Sequence, residues 1–368
     1  MKLVCDKFEL QAAIQTAGKA SAPKSPIPAL EGLLLKADEN LTITGYDLKK
    51  GIYTSIDANI SEKGSIVLDS RLFSEIIRSL PDGKVTIQTK DDSITHIKSG
   101  KSDFNIMGIS AEDYPELPTI EPDSSIILSQ KALKNMIGKT IFAVSDNESK
   151  PVYTGSLFKI VNNQIEVVSV DGYRIAVCRD EINSEERLNL EFIVPGSALK
   201  DLEKLCSDSD DSVLISVGKK HLSFVVSETT LITRKLEGDF LDYKKSLPKE
   251  FEINLKVNRD NILKSVERVS LIIDEKVKTP IKLSFGPDLT VIQAQTPYNK
   301  AEELCPLEGD GKSLEIGFNN RYLIDMFKAI SAESFMMRLS NSTSPMVLEP
   351  VEGSDFLFLT LPVRLRSN

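Results

Sequence analysis

The sequence predicts an α+β protein built from three tandem copies of one unit, each mostly short strands with two helices. Three observations carry this. Amphipathic stretches recur in two sets that share one period. Strand pairs recur between them. Two of the units also close on the same Asp-Tyr and Leu-Pro residues. Self-similarity at a fixed spacing marks a repeated structural unit.

The first set of helices opens each copy. Residues 7–20 carry Leu10, Ala13, Ile14 and Ala17; residues 129–142 carry Leu133, Met136, Ile137 and Ile141; residues 258–273 carry Ile262, Val266, Val269 and Ile273. Apolar residues three and four apart line one helix face. Asp6, Ser129 and Asn258 stand where N-caps belong. The second set carries Leu72, Phe73, Ile76, Ile77 and Leu80 in 70–80, Leu199, Leu202 and Leu205 in 196–206, and Tyr322, Leu323, Met326, Phe327 and Ile330 in 319–330. In both sets successive starts lie 122 to 129 residues apart.

Strand pairs follow the first helix of each copy. Leu33–Lys36 precedes Leu41–Asp47, Ser156–Ile160 precedes Ile165–Tyr173, and Ile281–Phe285 precedes Leu289–Gln293. The first two copies end alike, at Asp113-Tyr114 with Leu117-Pro118 and at Asp242-Tyr243 with Leu247-Pro248. The third ends on Phe356–Pro362. These markers divide the chain into residues 1–120, 121–250 and 251–368. Near the middle, Val167–Val170, Asp171-Gly172 and Arg174–Val177 read as strand, tight turn and strand, since Asp-Gly between β-rich runs is a hairpin signal. An ordinary hairpin accounts for that stretch by itself.

The 368 residues, 41% of them hydrophobic, suffice for two or three domains with large cores. No uninterrupted apolar run reaches the roughly 18 residues that span a bilayer, and Met1–Asp6 shows no signal-peptide core. Cys5, Cys178, Cys206 and Cys305 form no CxxC pair, which fits buried thiols in a reducing cytoplasm. His96 and His221 are the only histidines, so a multi-histidine metal site is nearly excluded. Phosphate loops, dinucleotide fingerprints, zinc-protease and serine-hydrolase motifs are all missing. The acidic run Asp208–Asp211 lacks the spacing of a calcium loop and reads as solvated. No catalytic residue, metal or cofactor is therefore expected.

The formal charge of −9 is unevenly placed. The six helical windows hold 14 Lys and Arg against 7 Asp and Glu, so they sum to +7 and the remainder of the chain to −16. If the helices share a surface, that surface attracts phosphates without reading sequence. Basic residues that merely solvate outer helix faces account for the count equally well.

In order along the chain, Met1-Lys2-Leu3, Pro28–Leu35, Leu41–Leu48, Asp171–Ala176, Gly317-Phe318-Asn319 with Tyr322–Asp325, and Leu361–Leu365 resemble the bacterial sliding clamp family, the β subunit of DNA polymerase III. The resemblance covers residues 1–365. It implies three clamp domains per chain and a head-to-tail homodimer, so that each chain is half of a six-domain ring with helices lining the hole. It further implies a cytoplasmic, nucleoid-associated, non-enzymatic processivity factor that slides on duplex DNA. Its other partners would be the replicative polymerase, the clamp loader and repair proteins, with no membrane.

By the same resemblance, Lys24, Arg71 and Lys150 face DNA, and Lys200 compensates for Gly196 and Ser197, where clamps often carry bases. Phe104 and Ile106 on one side, and Ile272 and Ile273 on the other, form the dimer interface. The partner-peptide pocket takes Tyr153, Val170, Gly172, Tyr173, Arg174, Ile175, Leu241, Lys245, Ser246, Ser344, Leu361, Pro362, Val363 and Arg364. Gly172 is expected to let a peptide backbone approach closely. Leu241 and Lys245 depart from the usual proline and arginine, a change in peptide preference. Arg366-Ser367-Asn368 extends past the usual end, where it can partly cover the pocket mouth.

Two other classes compete with this reading. An enzyme on a repeated α+β scaffold is disfavoured by the missing catalytic motifs. A scaffold or adhesion array is disfavoured by net positive charge confined to helices.

Overall fold

Helix starts follow from short polar side chains that take up otherwise unpaired backbone donors. A computed structural model describes residues 1–90, 93–182, 188–274, 279–309 and 312–365. Among the described residues the helices are α1 (Lys7–Ala17), α2 (Ser70–Ser79), α3 (Gln130–Gly138), α4 (Gly196–Leu205), α5 (Arg259–Ser270) and α6 (Asn320–Ala329). Asp6 accepts the Phe8 N–H at 2.8 Å, Ser129 that of Ala132 at 3.1 Å and Asn258 that of Asn261 at 3.0 Å, as the sequence predicts. Asp69 and Asn319 cap α2 and α6 in the same way.

The predicted apolar faces point inward with few exceptions. Leu10, Ile14, Phe73, Ile77, Leu323 and Phe327 are fully buried or nearly so. Leu72 instead faces out at 46% exposure. The window 129–142 is not one helix: α3 ends at Gly138 and a short 3-10 turn follows at Ile141–Ala143. Ile273 lies beyond the end of α5 and is half-buried.

Chain contacts divide the molecule into two compact units, Met1–Leu133 with Asp201–Lys235, and Lys134–Lys200 with Leu236–Asn368. The middle copy contributes to both, and the reason is sheet pairing across copies. In the first unit, Thr229–Arg234 pairs antiparallel with Lys50–Ile56, which joins strands of copies one and two in an eight-stranded sheet. A separate five-stranded sheet ends on Ser102–Met107. In the second unit, Arg174–Glu181 pairs with Phe356–Thr360, which joins copies two and three in a nine-stranded sheet. A four-stranded sheet ends on Lys300–Pro306.

Strand alternation splits the nine-stranded sheet into two faces. Ala176 and Phe358 point into a core with α5 and α6 residues such as Ile262 and Phe327. Their neighbours Ile175, Val177, Leu357 and Leu359 point the other way, into a second cluster with Val170, Tyr243 and Val347. That second cluster is the floor of the candidate site.

Candidate functional site

The Asp171-Gly172 turn joins the strands Gln164–Val170 and Arg174–Glu181, with Val170 opposite Ile175. Asp171 organises it. Its Oδ1 accepts the N–H groups of Tyr173 at 2.9 Å and Arg174 at 3.0 Å, and its Oδ2 accepts Arg174 Nε at 2.8 Å. Gly172 has φ +93°, and a Cβ there would meet nothing within 4 Å. The left-handed backbone, and no crowding within the chain, is what requires glycine at this position.

Arg174 is 9% exposed, and its charge is committed internally. Nη1 donates to Asp325 Oδ2 on α6 at 2.7 Å, and the guanidinium lies 4.3 Å from the Tyr322 ring centroid and 5.4 Å from that of Phe142. Arg174 thereby holds the turn against α6. The Tyr322 ring in turn lies 6.3 Å from that of Tyr173.

The chain end forms a second wall. After the strand Phe356–Thr360, the Leu361 N–H donates to the Tyr173 carbonyl at 2.9 Å and the Val363 N–H to the Gly317 carbonyl at 2.8 Å. A Cβ on Gly317 would lie 2.7 Å from the Val363 carbonyl oxygen, so only glycine permits this approach. The third wall is the segment around the 3-10 turn Tyr243–Ser246. Tyr243 is buried beneath it, and Phe240 meets Tyr153 edge-on at 5.5 Å.

Tyr153, Val170 and Ile175 thus meet in one apolar cluster, whereas Tyr173, Leu241, Leu361 and Val363, on the turn and the two flanking segments, are 61%, 36%, 40% and 39% exposed. Exposed large apolar side chains gathered on a buried apolar floor suit a docking surface for an apolar peptide segment. Lys245 and Ser246 are exposed on the third wall, with Lys245 Nζ 3.3 Å from Asp242. Ser344 is half-buried, its N–H donated to Asn341. Pro362 is half-buried and Arg364 exposed. Residues 366–368, the expected extension, lie outside the described residues.

Sequence reasoning missed Tyr322, Phe240, Tyr243 and Val347 at this site. Tyr322 reads as one more apolar residue of the α6 stripe, and only its half-exposure sets it apart.

The expected DNA-facing residues are all exposed. Lys24, Lys150 and Lys200 make no ion pair among the described residues, and Lys150 lies 5.7 Å from the Tyr153 ring. Arg71 is 88% exposed and 3.3 Å from Glu75, a contact too weak to withhold it from a phosphate. Arg71 also lines an open cleft of about 720 Å³ with Gln15, Lys19 and Ser74. Burial holds the Lys19 amine below its usual range. Several helical bases counted in the charge are not free. Lys139 is buried against Asp355 at 2.7 Å, Arg268 grips Glu303 at 2.7 Å and Lys328 meets Glu267 at 2.8 Å.

At the expected interface, Phe104 is 36% exposed on the terminal strand Ser102–Met107 of its sheet. Ile106 differs: it is 9% exposed and packs in its own core with Ile87 and Ile97. Ile272 and Ile273 are half-buried against their own core. The freely exposed apolar neighbours are Met107 at 69% and Leu271 at 84%.

The four cysteines are buried and unbridged, and burial pushes the Cys5 thiol up to about 12 and that of Cys178 to about 11. No helix among the described residues is long and apolar enough to cross a membrane.

Comparison with known proteins agrees along the whole chain. Residues 1–118, 127–242 and 244–364 match the family models for the N-terminal, central and C-terminal domains of the DNA polymerase III beta subunit. The beta sliding clamp of Staphylococcus epidermidis is 34% identical over 357 residues, 94% of each chain. The crystal structure of the Bacillus subtilis DNA polymerase sliding clamp superposes with a TM-score of 0.95 at 28% identity, covering 100% of both chains. That of the Pseudomonas aeruginosa sliding clamp bound to griselimycin gives 0.92 at 27%, covering 99% of this chain and 100% of the other.

Proposed function

The chain belongs to the DNA polymerase III beta subunit family of bacterial sliding clamps, and from that premise we propose that it is a processivity factor that catalyses no reaction. Two copies join head to tail, and six clamp domains close a ring around duplex DNA. The ring holds DNA topologically, so its contacts can stay weak and non-specific, as sliding needs. Lys24, Arg71, Lys150 and Lys200 supply them. The cytoplasm, at the nucleoid, is where such a ring works.

The observation that carries this reading is the threefold repeat with its net positive charge confined to the helices. The terminal strands Ser102–Met107 and Lys300–Pro306 suit the junction, since each has one backbone edge unpaired among the described residues that a second copy can meet. The docking surface around Val170, Tyr173 and Leu361 takes a short peptide of the replicative polymerase, the clamp loader or a repair protein. Leu241 and Lys245 tune which peptide fits, and griselimycin is a second ligand to try there. Light scattering at micromolar concentration tests the assembly. The proposal expects twice the chain mass of 40.7 kDa, and a strictly monomeric chain contradicts it.

A further inference from the structure

Beneath the docking surface lies a closed polar triangle of three side chains. Tyr243 Oη donates to Glu166 Oε2 at 2.6 Å and accepts from Arg179 Nη2 at 2.9 Å, while Arg179 Nε donates to the same Glu166 oxygen at 2.9 Å. Tyr243 is 4% exposed, and its ring packs in the cluster with Val170, Ile175 and Val347. Glu166 and Arg179 face each other across neighbouring strands. Such a network in a low-dielectric setting is rigid when every member is satisfied.

Arg179 also reaches a second segment. Its Nη1 donates to the Ser354 carbonyl at 2.9 Å, and its backbone N–H to the Asp355 carbonyl at 2.7 Å. Ser354 and Asp355 lead directly into the strand Phe356–Thr360 and then into Leu361–Arg364. One wall, Leu241–Ser246, and the segment that leads through the strand Phe356–Thr360 to the other wall, Leu361–Arg364, therefore meet at one guanidinium. The equivalent tyrosine of the first copy, Tyr114, donates from its hydroxyl to the Thr44 carbonyl at 3.3 Å.

We propose that Tyr243, Glu166 and Arg179 are positioning residues that couple these two walls and so set the spacing into which a peptide docks. None of the three needs to touch the peptide. The proposal rests on the peptide-docking reading above, and its test separates the two.

The test uses the full chain and the Tyr243→Phe variant, which keeps the ring and removes the hydroxyl. Arg179→Lys is the second variant; it keeps the charge beside Glu166 and loses the fork that reaches Ser354. Binding is read with fluorescein-labelled peptides that tile the replicative polymerase of the same cell, the tightest-binding one being used for all variants. Amide hydrogen exchange is read on the free chain at Lys245 and Leu247 in one wall and Leu361 and Val363 in the other. The expected result for either variant is at least fivefold weaker peptide binding. Exchange should also be at least tenfold faster in both walls, with the amides of α5 and α6 unchanged. Peptide affinity within twofold of the parent chain, or faster exchange at Lys245 and Leu247 alone, overturns the coupling. If the parent chain takes no peptide, the docking reading fails, and the exchange at Val363 still decides whether the walls are coupled.

Discussion

Arg174 Nη1 donates to Asp325 Oδ2 at 2.7 Å and so ties the Asp171-Gly172 turn to α6. The same guanidinium satisfies Asp171, and its face lies on Tyr322. Arg174→Ala leaves Asp171, with a side chain only 12% exposed, without its counter-charge. The expected loss is about 3 kcal/mol, the cost of breaking a largely buried pair. Asp325→Ala removes only the outer, partly exposed partner and costs about 1 kcal/mol. Urea denaturation of both variants checks the order, and equal costs would show that the guanidinium is not shared as described.

A second pair tests the first unit. Lys50 Nζ pairs with Asp201, and both side chains are about nine-tenths buried, 10% and 12% exposed. Lys50 sits where the strand Lys50–Ile56 meets Thr229–Arg234. Lys50→Met alone strands a buried carboxylate and is expected to cost about 3 kcal/mol. Adding Asp201→Leu is expected to recover most of that, since a packed apolar pair replaces a buried ion pair at little cost. Thermal melts of the single and double variants decide; additive losses contradict the pairing.

Deleting residues from Leu361 onward removes the second wall and the hydrogen bonds to the Tyr173 and Gly317 carbonyls. Peptide binding is expected to disappear in a fluorescence polarisation assay. The proposed dimer is expected to persist by light scattering, because the removed residues belong to neither proposed junction strand, Ser102–Met107 or Lys300–Pro306.

The paired substitution Phe104→Glu with Ile273→Glu places like charges on both sides of the proposed junction. Single chains are expected at micromolar concentration in sedimentation, with the melting temperature lowered by the half-buried Ile273. Leu271→Glu with Phe104→Glu should give the same monomer without that loss, since Leu271 is 84% exposed. A dimer that survives both variants places the interface elsewhere.

Much of the fold was legible in the sequence because it depends on local chemistry. Asp6, Ser129 and Asn258 cap helices wherever they occur, and Asp171-Gly172 makes its turn from its own carboxylate and a positive φ. Strand pairing across copies was not legible. The turn signal says that Arg174–Val177 is a strand, but not that Phe356–Thr360 lies beside it. The site was legible in part. Its Asp171-Gly172 turn follows from local sequence, whereas the internal use of Arg174, the burial of Lys139 and the anchoring of Tyr243 depend on partners far away in the chain. A charge count treats Lys139 and Lys200 alike, although only one of them is free at the surface.

On the proposed function, the chain holds DNA by topology. The most direct measurement loads the protein onto nicked circular duplex with its clamp loader, then linearises the DNA and follows the bound protein by gel filtration. A ring that slides remains on the circle at high salt and leaves within minutes once the DNA has ends. Protein retained on the linear duplex, or lost from the intact circle as salt rises, contradicts the account.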